Sequence, residues 1–268
     1  MSEPISSPKN ALIKKCIALE KKRHRNDLGL FVIEGIRETS LALQNGWEIE
    51  VILFPVGKTN ESDLTHDPDY PLQFSNFQAV EDHIFDKIAY RKGLANVVSI
   101  AKQRKMDLNS IPVEERPLIL ALQKLEKPGN IGAILRTADA AGIQTVVLVD
   151  PLADKYNPNL IRSSLGASFC LQVIEASSEE LFTFCKKREI PMLATYLEGA
   201  TAHYDTNFSE GAAIIMGSEA FGIDEFWIEN SDAFIKIPMY GHVDSMNVST
   251  SCAVVVFEAV RQLTTSKQ

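Results

Sequence analysis

No stretch of this 268-residue chain comes near the ~18 consecutive apolar residues that a membrane-crossing helix needs. Its longest apolar segments, such as Thr145–Val149 and Ala212–Met216, have strand length. The opening MSEPISSPKN lacks the charged-then-apolar order of a secretory signal. Only four cysteines occur, Cys16, Cys170, Cys185 and Cys252, with no C-x-x-C pair and no zinc-finger spacing. A disulfide framework is therefore not expected, and the cysteines read as reduced core residues of a cytoplasmic protein. The five histidines (His24, His66, His83, His203, His242) are scattered, so no metal site is expected. There is no G-x-G-x-x-G after the first strand, no G-x-x-x-x-G-K-[ST] and no H-E-x-x-H, which argues against a standard dinucleotide turn, a phosphate loop and a zinc-protease helix. An excess of positive charge is lacking too. Lys+Arg number 27 against 35 Asp+Glu, a net charge of -8, which is not the balance of a protein that coats nucleic acid along its whole surface.

What is present is an ordinary globular composition, 45% hydrophobic and 23% charged, with length for about two domains. Charge is uneven. The first 25 residues hold seven basic and two acidic side chains. Leu12, Ile13, Cys16, Ile17 and Leu19 recur at spacings near three and four, so this segment predicts an amphipathic helix with a basic face, followed by Arg23-His24-Arg25. Such a face is either merely solvated or a surface for phosphates. Residues 30–33 read as a strand running into a turn at Glu34-Gly35, 39–44 as a helix stopped by Asn45-Gly46, 51–54 as a strand and 57–71 as a loop. Residues 102–117 are polar with two prolines and supply the linker. The expected division is a smaller α/β domain over 1–105, a linker over 106–117 and a second domain over 118–268.

In the second domain, strands near 118–122, 145–149, 171–174, 192–195, 212–216 and 234–237 alternate with helices near 131–141, 159–164, 179–187 and 248–263. That alternation predicts an α/β fold with a mostly parallel sheet covered on both faces. Ligands of such sheets bind beyond the carboxyl ends of the strands, and three segments there carry glycine and polar residues. The first runs from Glu126 through Pro128-Gly129 to Thr137; Asn130 suits a helix N-cap, Gly132 marks a close approach, and Arg136 sits inside an otherwise apolar helix. Arg136 reads either as a surface arginine or as a clamp for an anion, which a planar guanidinium suits. In the second, the strand 212–216 runs straight into Gly217-Ser218-Glu219-Ala220-Phe221-Gly222, a loop fit to wrap a small ligand. The third joins Ile237-Pro238-Met239 to Asp244-Ser245-Met246-Asn247-Val248-Ser249; one cap for the following helix needs fewer polar side chains than this.

Taken in order, these segments resemble the three motifs of the SpoU/TrmH RNA methyltransferases: Asn130, Gly132 and Arg136 the first, Gly217 to Gly222 the second, Ile237-Pro238-Met239 with Ser245 to Ser249 the third. Residues 193–200 resemble that family's fourth-strand exit, and the front part, with Phe31 to Gly35, resembles the ribosomal-protein-like substrate-binding domain often fused ahead of it. The resemblance implies a deep trefoil knot in the C-terminal domain, S-adenosylmethionine as cofactor, a homodimer and methyl transfer to a ribose 2′-hydroxyl. It implies cofactor contacts at Thr195, Gly217, Ile237 and Met246 (where the family usually has Leu), and a catalytic set of Asn130, Arg136, Glu219, Ser245 and Asn247. The two-domain plan favours 23S rRNA over tRNA as substrate, with no DNA or membrane partner. The alternatives are a tRNA 2′-O-methyltransferase or an RNA-binding ribosome-assembly factor with an inactive methyltransferase domain.

Overall fold

A computed structural model describes residues 3–111, 115–218 and 221–265. In chain order the elements are α1 (Ala11–Ala18), α2 (Lys22–Leu28), β1 (Leu30–Glu34), α3 (Ile36–Gln44), β2 (Ile49–Pro55), α4 (Glu61–Thr65), β3 (Phe77–Val80), α5 (Asp82–Phe85) and β4 (Val98–Lys102). A short 3-10 turn (Leu108–Ser110) leads to β5 (Leu118–Gln123), α6 (Pro128–Ala140), β6 (Thr145–Val149), α7 (Pro158–Ser164), α8 (Ala167–Cys170), β7 (Gln172–Ala176) and α9 (Ser178–Lys187). The chain continues through β8 (Met192–Thr195), β9 (Thr201–Ala202), β10 (Ala212–Met216), α10 (Glu225–Asn230), β11 (Ala233–Lys236) and α11 (Val248–Thr265).

Contacts gather these elements into two units. The first holds the chain up to Lys105 together with Asp154–Cys170; the second holds Met106–Ala153 and the chain from Leu171 onward. This division departs from the expected one at two places. Asp154–Cys170, expected in the second domain, packs into the first unit, because Tyr156 and Phe169 complete an aromatic cluster with Phe31 and Trp47 and Asp154 pairs with buried Arg25. The expected linker is not a free tether either, since Leu108 and Ile111 are buried in the core of the second unit.

The first unit is built on a four-stranded sheet ordered β1-β4-β2-β3, antiparallel except for the β2–β3 pair. The basic N-terminal segment forms the expected helix, α1, and the Arg23-His24-Arg25 run after it lies in a second helix, α2. α1 closes at Leu19, and the main-chain carbonyls of Leu19 and Glu20 accept hydrogen bonds from the Arg25 guanidinium at 2.8 and 2.7 Å. Arg25 also donates from Nε to Asp154 at 3.0 Å and is only 2% exposed. It therefore belongs to the core, not to a phosphate-facing surface. The loop expected over 57–71 contains α4, capped by the Asn60 side chain on the Asp63 N–H.

The second unit carries a seven-stranded sheet ordered β7-β6-β5-β10-β8-β11-β9, parallel at every pairing among the described residues. β5, β6 and β10 are buried almost throughout, as their near-continuous apolar sequences require of strands covered on both faces. At the carboxyl ends of β5 and β6 the chain leaves the sheet through Lys124 and Asp150, both at positive φ (49° and 45°). Each is held there by its side chain: Lys124 pairs with Asp224 at 2.9 Å, and Asp150 accepts from the Ser178 hydroxyl at 2.6 Å. Ser178 Oγ in turn accepts from the indole N–H of fully buried Trp227 at 3.1 Å. Cys16, Cys185 and Cys252 are buried, with burial pushing each thiol up to about 12, whereas Cys170 is exposed and so is not the core residue expected. Among the described residues no helix is long and apolar enough to cross a membrane.

Candidate cofactor and catalytic site

Because β10, β8 and β11 are parallel neighbours, their carboxyl ends leave the sheet side by side. Thr195, the last residue of β8, ties two of the exits together: its hydroxyl donates to the Ile215 carbonyl at 3.2 Å and accepts from the Gly217 N–H at 3.4 Å. Beyond Gly217 the chain doubles back, with Ser218 and Gly222 exchanging main-chain hydrogen bonds at 2.8 and 3.0 Å. Gly217 is obligatory in that turn. A Cβ built on it would overlap the backbone of Gly222 and Ile223, sitting 2.6 Å from the Gly222 carbonyl oxygen.

These exits and the segment before α11 enclose a cleft of about 490 Å³, within the ~300–1,000 Å³ usual for a small organic ligand. Thr195, Gly217, Ile237 and Met246 all line it, as do Ser245 and Asn247. The walls are apolar at Met216, Ile235, Ile237, Met239 and Val248, with hydroxyls at Ser218 and Ser245, a carboxylate at Asp244 and two cations at Lys127 and Lys236. Flat apolar walls suit an aromatic base, scattered hydroxyls suit a ribose, and Asp244 suits a positive charge. The donor set thus fits S-adenosylmethionine, a neutral base and sugar bearing a cationic sulfur.

Asn130 does not cap its helix. Lys127 occupies that position and Pro128 opens α6, so Asn130 lies a turn further in, half-buried. That placement brings its Oδ1 within 3.4 Å of the Asn247 Nδ2, joining the first and third segments. Asn247 caps α11, as one reading of it expected: its Oδ1 accepts from the Ser249 N–H at 2.9 Å and the Ser249 hydroxyl at 2.6 Å, while its amide reaches Asn130. α11 packs against α6, which fixes the pair. Gly132 is buried within α6, and Arg136 is exposed on the same helix, outside the walls of the cleft. Glu219 lies outside the described residues.

Sequence reasoning placed Lys127, Leu197, Met239 and Asp244 inside its segments without assigning them to the site, and it missed the wall residues Ser251 and Val255. Ser251 and Val255 were legible in principle, since Val248, Ser251 and Val255 share one helical face at i, i+3 and i+7. Tyr204 and Tyr240, on neighbouring loops, meet at 3.3 Å between hydroxyls, and that hydrogen bond holds the Tyr204 phenol above its ordinary range. Among the described residues no cluster of His, Cys, Asp and Glu could hold a metal.

An α/β unit whose parallel strand exits build a small-molecule cleft beside a fixed pair of asparagines is the frame of a cofactor-dependent transferase. The chain belongs to the SpoU rRNA methylase family, whose model matches residues 117–257, and residues 10–98 match an MRM3-like substrate binding domain. It is 28% identical to the 23S rRNA (uridine(2479)-2′-O)-methyltransferase of Streptomyces viridochromogenes over 261 residues, covering 95% of this chain and 91% of that one. It is likewise 28% identical to the 23S rRNA (guanosine(2553)-2′-O)-methyltransferase RlmP of Bacillus subtilis, covering 94% and 97%. The crystal structure of an AdoMet-bound rRNA methyltransferase from Sinorhizobium meliloti superposes with a TM-score of 0.86 at 27% identity, covering 97% of this chain and 98% of that one.

Proposed function

We propose that this SpoU-family methyltransferase transfers the methyl group of S-adenosylmethionine to a ribose 2′-hydroxyl of 23S rRNA. The observation that carries this reading is the convergence of Thr195, Gly217, Ile237 and Met246 on one cleft, with Asn130 hydrogen-bonded to Asn247 at its edge. The two large-subunit enzymes named above share the full two-part plan, which favours rRNA over tRNA.

In this reading the bound cofactor supplies a methyl group on a positively charged sulfur, already a good leaving group. The protein's task is then chiefly to align the hydroxyl. Asn130 and Asn247 hold the α6 and α11 ends in register, and Ser245 and Asn247 face the ribose. Arg136, on the exposed side of α6, grips the target phosphate and steadies the developing alkoxide; free guanidinium has a pKa above ~12 and makes a poor base. The hydroxyl proton leaves to a phosphate oxygen or to water. Glu219 orients Arg136 or Asn130. The cytoplasmic deep trefoil knot and homodimer belong to the same proposal. The exposed Tyr240, Val243 and Phe257, on and just before α11, favour a second copy covering that face. Residues 1–105 then serve as the substrate domain and 118–268 as the methyltransferase.

The test is to incubate purified protein with methyl-labelled S-adenosylmethionine and, separately, unmodified rRNA and tRNA, then map label by nuclease digestion. Label on rRNA ribose is expected. Label confined to tRNA moves the substrate, and cofactor binding without label on either RNA favours an assembly factor. Arg136→Lys is expected to lower turnover at least 100-fold with cofactor binding unchanged, because Lys cannot make the bidentate contact; near-normal turnover would sink the clamp.

A further inference from the structure

The first unit offers many surfaces, and one of them is built unlike the rest. Five consecutive residues, Tyr90-Arg91-Lys92-Gly93-Leu94, are exposed, with Tyr90 at 62% and Leu94 at 79%. The loop is nevertheless pinned. Glu34 ends β1 and is 8% exposed; its carboxylate accepts the main-chain N–H groups of Tyr90 and Arg91, the latter at 3.2 Å, and the Arg91 Nε–H at 3.1 Å. At the far end Asp86 accepts from the Gly93 N–H at 3.1 Å, and Lys58 donates to the Gly93 carbonyl at 3.1 Å. The pins hold the main chain at both ends, while Tyr90 and Lys92 stay exposed.

Further cations gather around it. The Arg162 guanidinium lies 5.5 Å from the Tyr90 ring centroid, and its buried Nε has no hydrogen-bond partner. Arg37 is exposed and lies 5.8 Å from the Tyr70 ring. Of the neighbouring acids, Glu34 pairs with Arg91, Asp86 is turned to the Gly93 N–H, and Glu38 is buried, with its carboxyl held above the ordinary range by that burial. On a chain of net charge -8, a pinned loop that presents an aromatic face beside the cations of Lys92, Arg37 and Arg162 is complementary to unpaired nucleic acid. A base stacks on the ring and phosphates meet the cations, whereas a duplex keeps its base faces hidden.

We infer that the Tyr90–Leu94 loop, held by Glu34, is the surface on which the first unit grips single-stranded RNA, with a base on Tyr90 and phosphates on Lys92 and Arg37. This inference rests on the proposed RNA methyltransferase function. The experiment is fluorescence anisotropy of the full-length protein with a labelled unstructured 20-nucleotide RNA and with an RNA duplex of equal length, across a KCl series. Tyr90→Ala is expected to weaken single-strand binding about tenfold and leave duplex binding within twofold. Tyr90→Phe should restore it, and Lys92→Ala should lower the salt slope by about 0.7. Unchanged melting and unchanged S-adenosylmethionine affinity by calorimetry keep folding out of the result. Parental RNA affinity in both Tyr90→Ala and Lys92→Ala, in a protein that still methylates, overturns this surface, points the loop toward a protein partner and leaves the function standing. A parent protein that binds neither cofactor nor RNA overturns both.

Discussion

The two units present polar groups at the edge of a sheet by opposite means. In the second unit every pairing is parallel, so the carboxyl ends of β8, β10 and β11 share one edge and their main chains meet there. In the first, β1 and β2 are both antiparallel to β4, so neighbouring exits point apart. A loop is presented there by side-chain pins, chief among them the buried carboxylate of Glu34, which reaches across to hold it. A site made of converging main chains tolerates changes of side chain, such as Met246 where the family usually has Leu, but not added atoms at a crossing. A site made by a side-chain pin has the reverse sensitivity.

The sharpest way to break that contrast is at Gly217. Gly217→Ala must drive the Ser218–Gly222 turn off the β10 exit, since the overlapping atoms are backbone. We expect cofactor affinity by calorimetry to fall more than 100-fold, with a stability loss of about 1–3 kcal/mol from overpacking. Gly222→Ala is the control. Gly222 has φ +67°, but no atom crowds a Cβ there, so only about 1 kcal/mol of left-handed strain is added and the affinity loss should be under tenfold. Equal losses in the two variants would mean that the conformation of the turn, not the close approach, makes the cleft.

Next in size is the pair that closes the first unit. Arg25 and Asp154 are 2% and 9% exposed, and Arg25 also satisfies two carbonyls past the end of α1. Arg25→Met leaves Asp154 buried without its partner and should cost about 3–5 kcal/mol in urea unfolding. Replacing both, with Asp154→Leu, should recover more than half of that. Cofactor affinity should stay within twofold in both variants; a parallel loss of binding would show that the two units do not unfold and function separately.

Much of this was legible from sequence, and the exceptions share a cause. The alternating strands and helices of the second unit and its parallel sheet follow from local pattern, because a strand exit announces itself by where apolar residues stop, whereas Thr195, Gly217, Ile237 and Met246 were picked out only by the family resemblance and do line the cleft. What pattern could not show is which distant chain segment a residue meets. Arg25 looked like part of a basic surface because its partner lies 129 residues away. Asn130 looked like a cap because the start signal of a proline at the first helical position, Pro128, was passed over, and its contact with Asn247 is not local at all. Glu34-Gly35 was visible as a turn, but its hold on Tyr90 and Arg91 is a tertiary fact.

The smallest expected effect sets two carboxyls of opposite sign against each other, one in each unit. Glu258, on α11, is held down to about 2 from 4.5, first by the hydrogen bond from Arg261, with a further contribution from Gln262. A depressed carboxyl contributes stability above pH 4.5 that is lost as pH falls from 4.5 toward 2. Glu38, on α3, is raised above 4.5, chiefly by burial. Its ionised form opposes folding at neutral pH, and the protein gains stability as pH falls through its raised value toward 4.5. Glu258→Gln should therefore lower the melting temperature at pH 7 and flatten the loss below pH 4.5. Glu38→Gln should raise it at pH 7 and remove the gain on mild acidification. The Glu258 effect is on the order of 1 kcal/mol, and both are measured as the difference between variant and parent in thermal melts from pH 3 to pH 7. Because the two carboxyls act in separate windows, the double variant should show both changes added together; a shared shift in one window would mean that a single group governs the acid response.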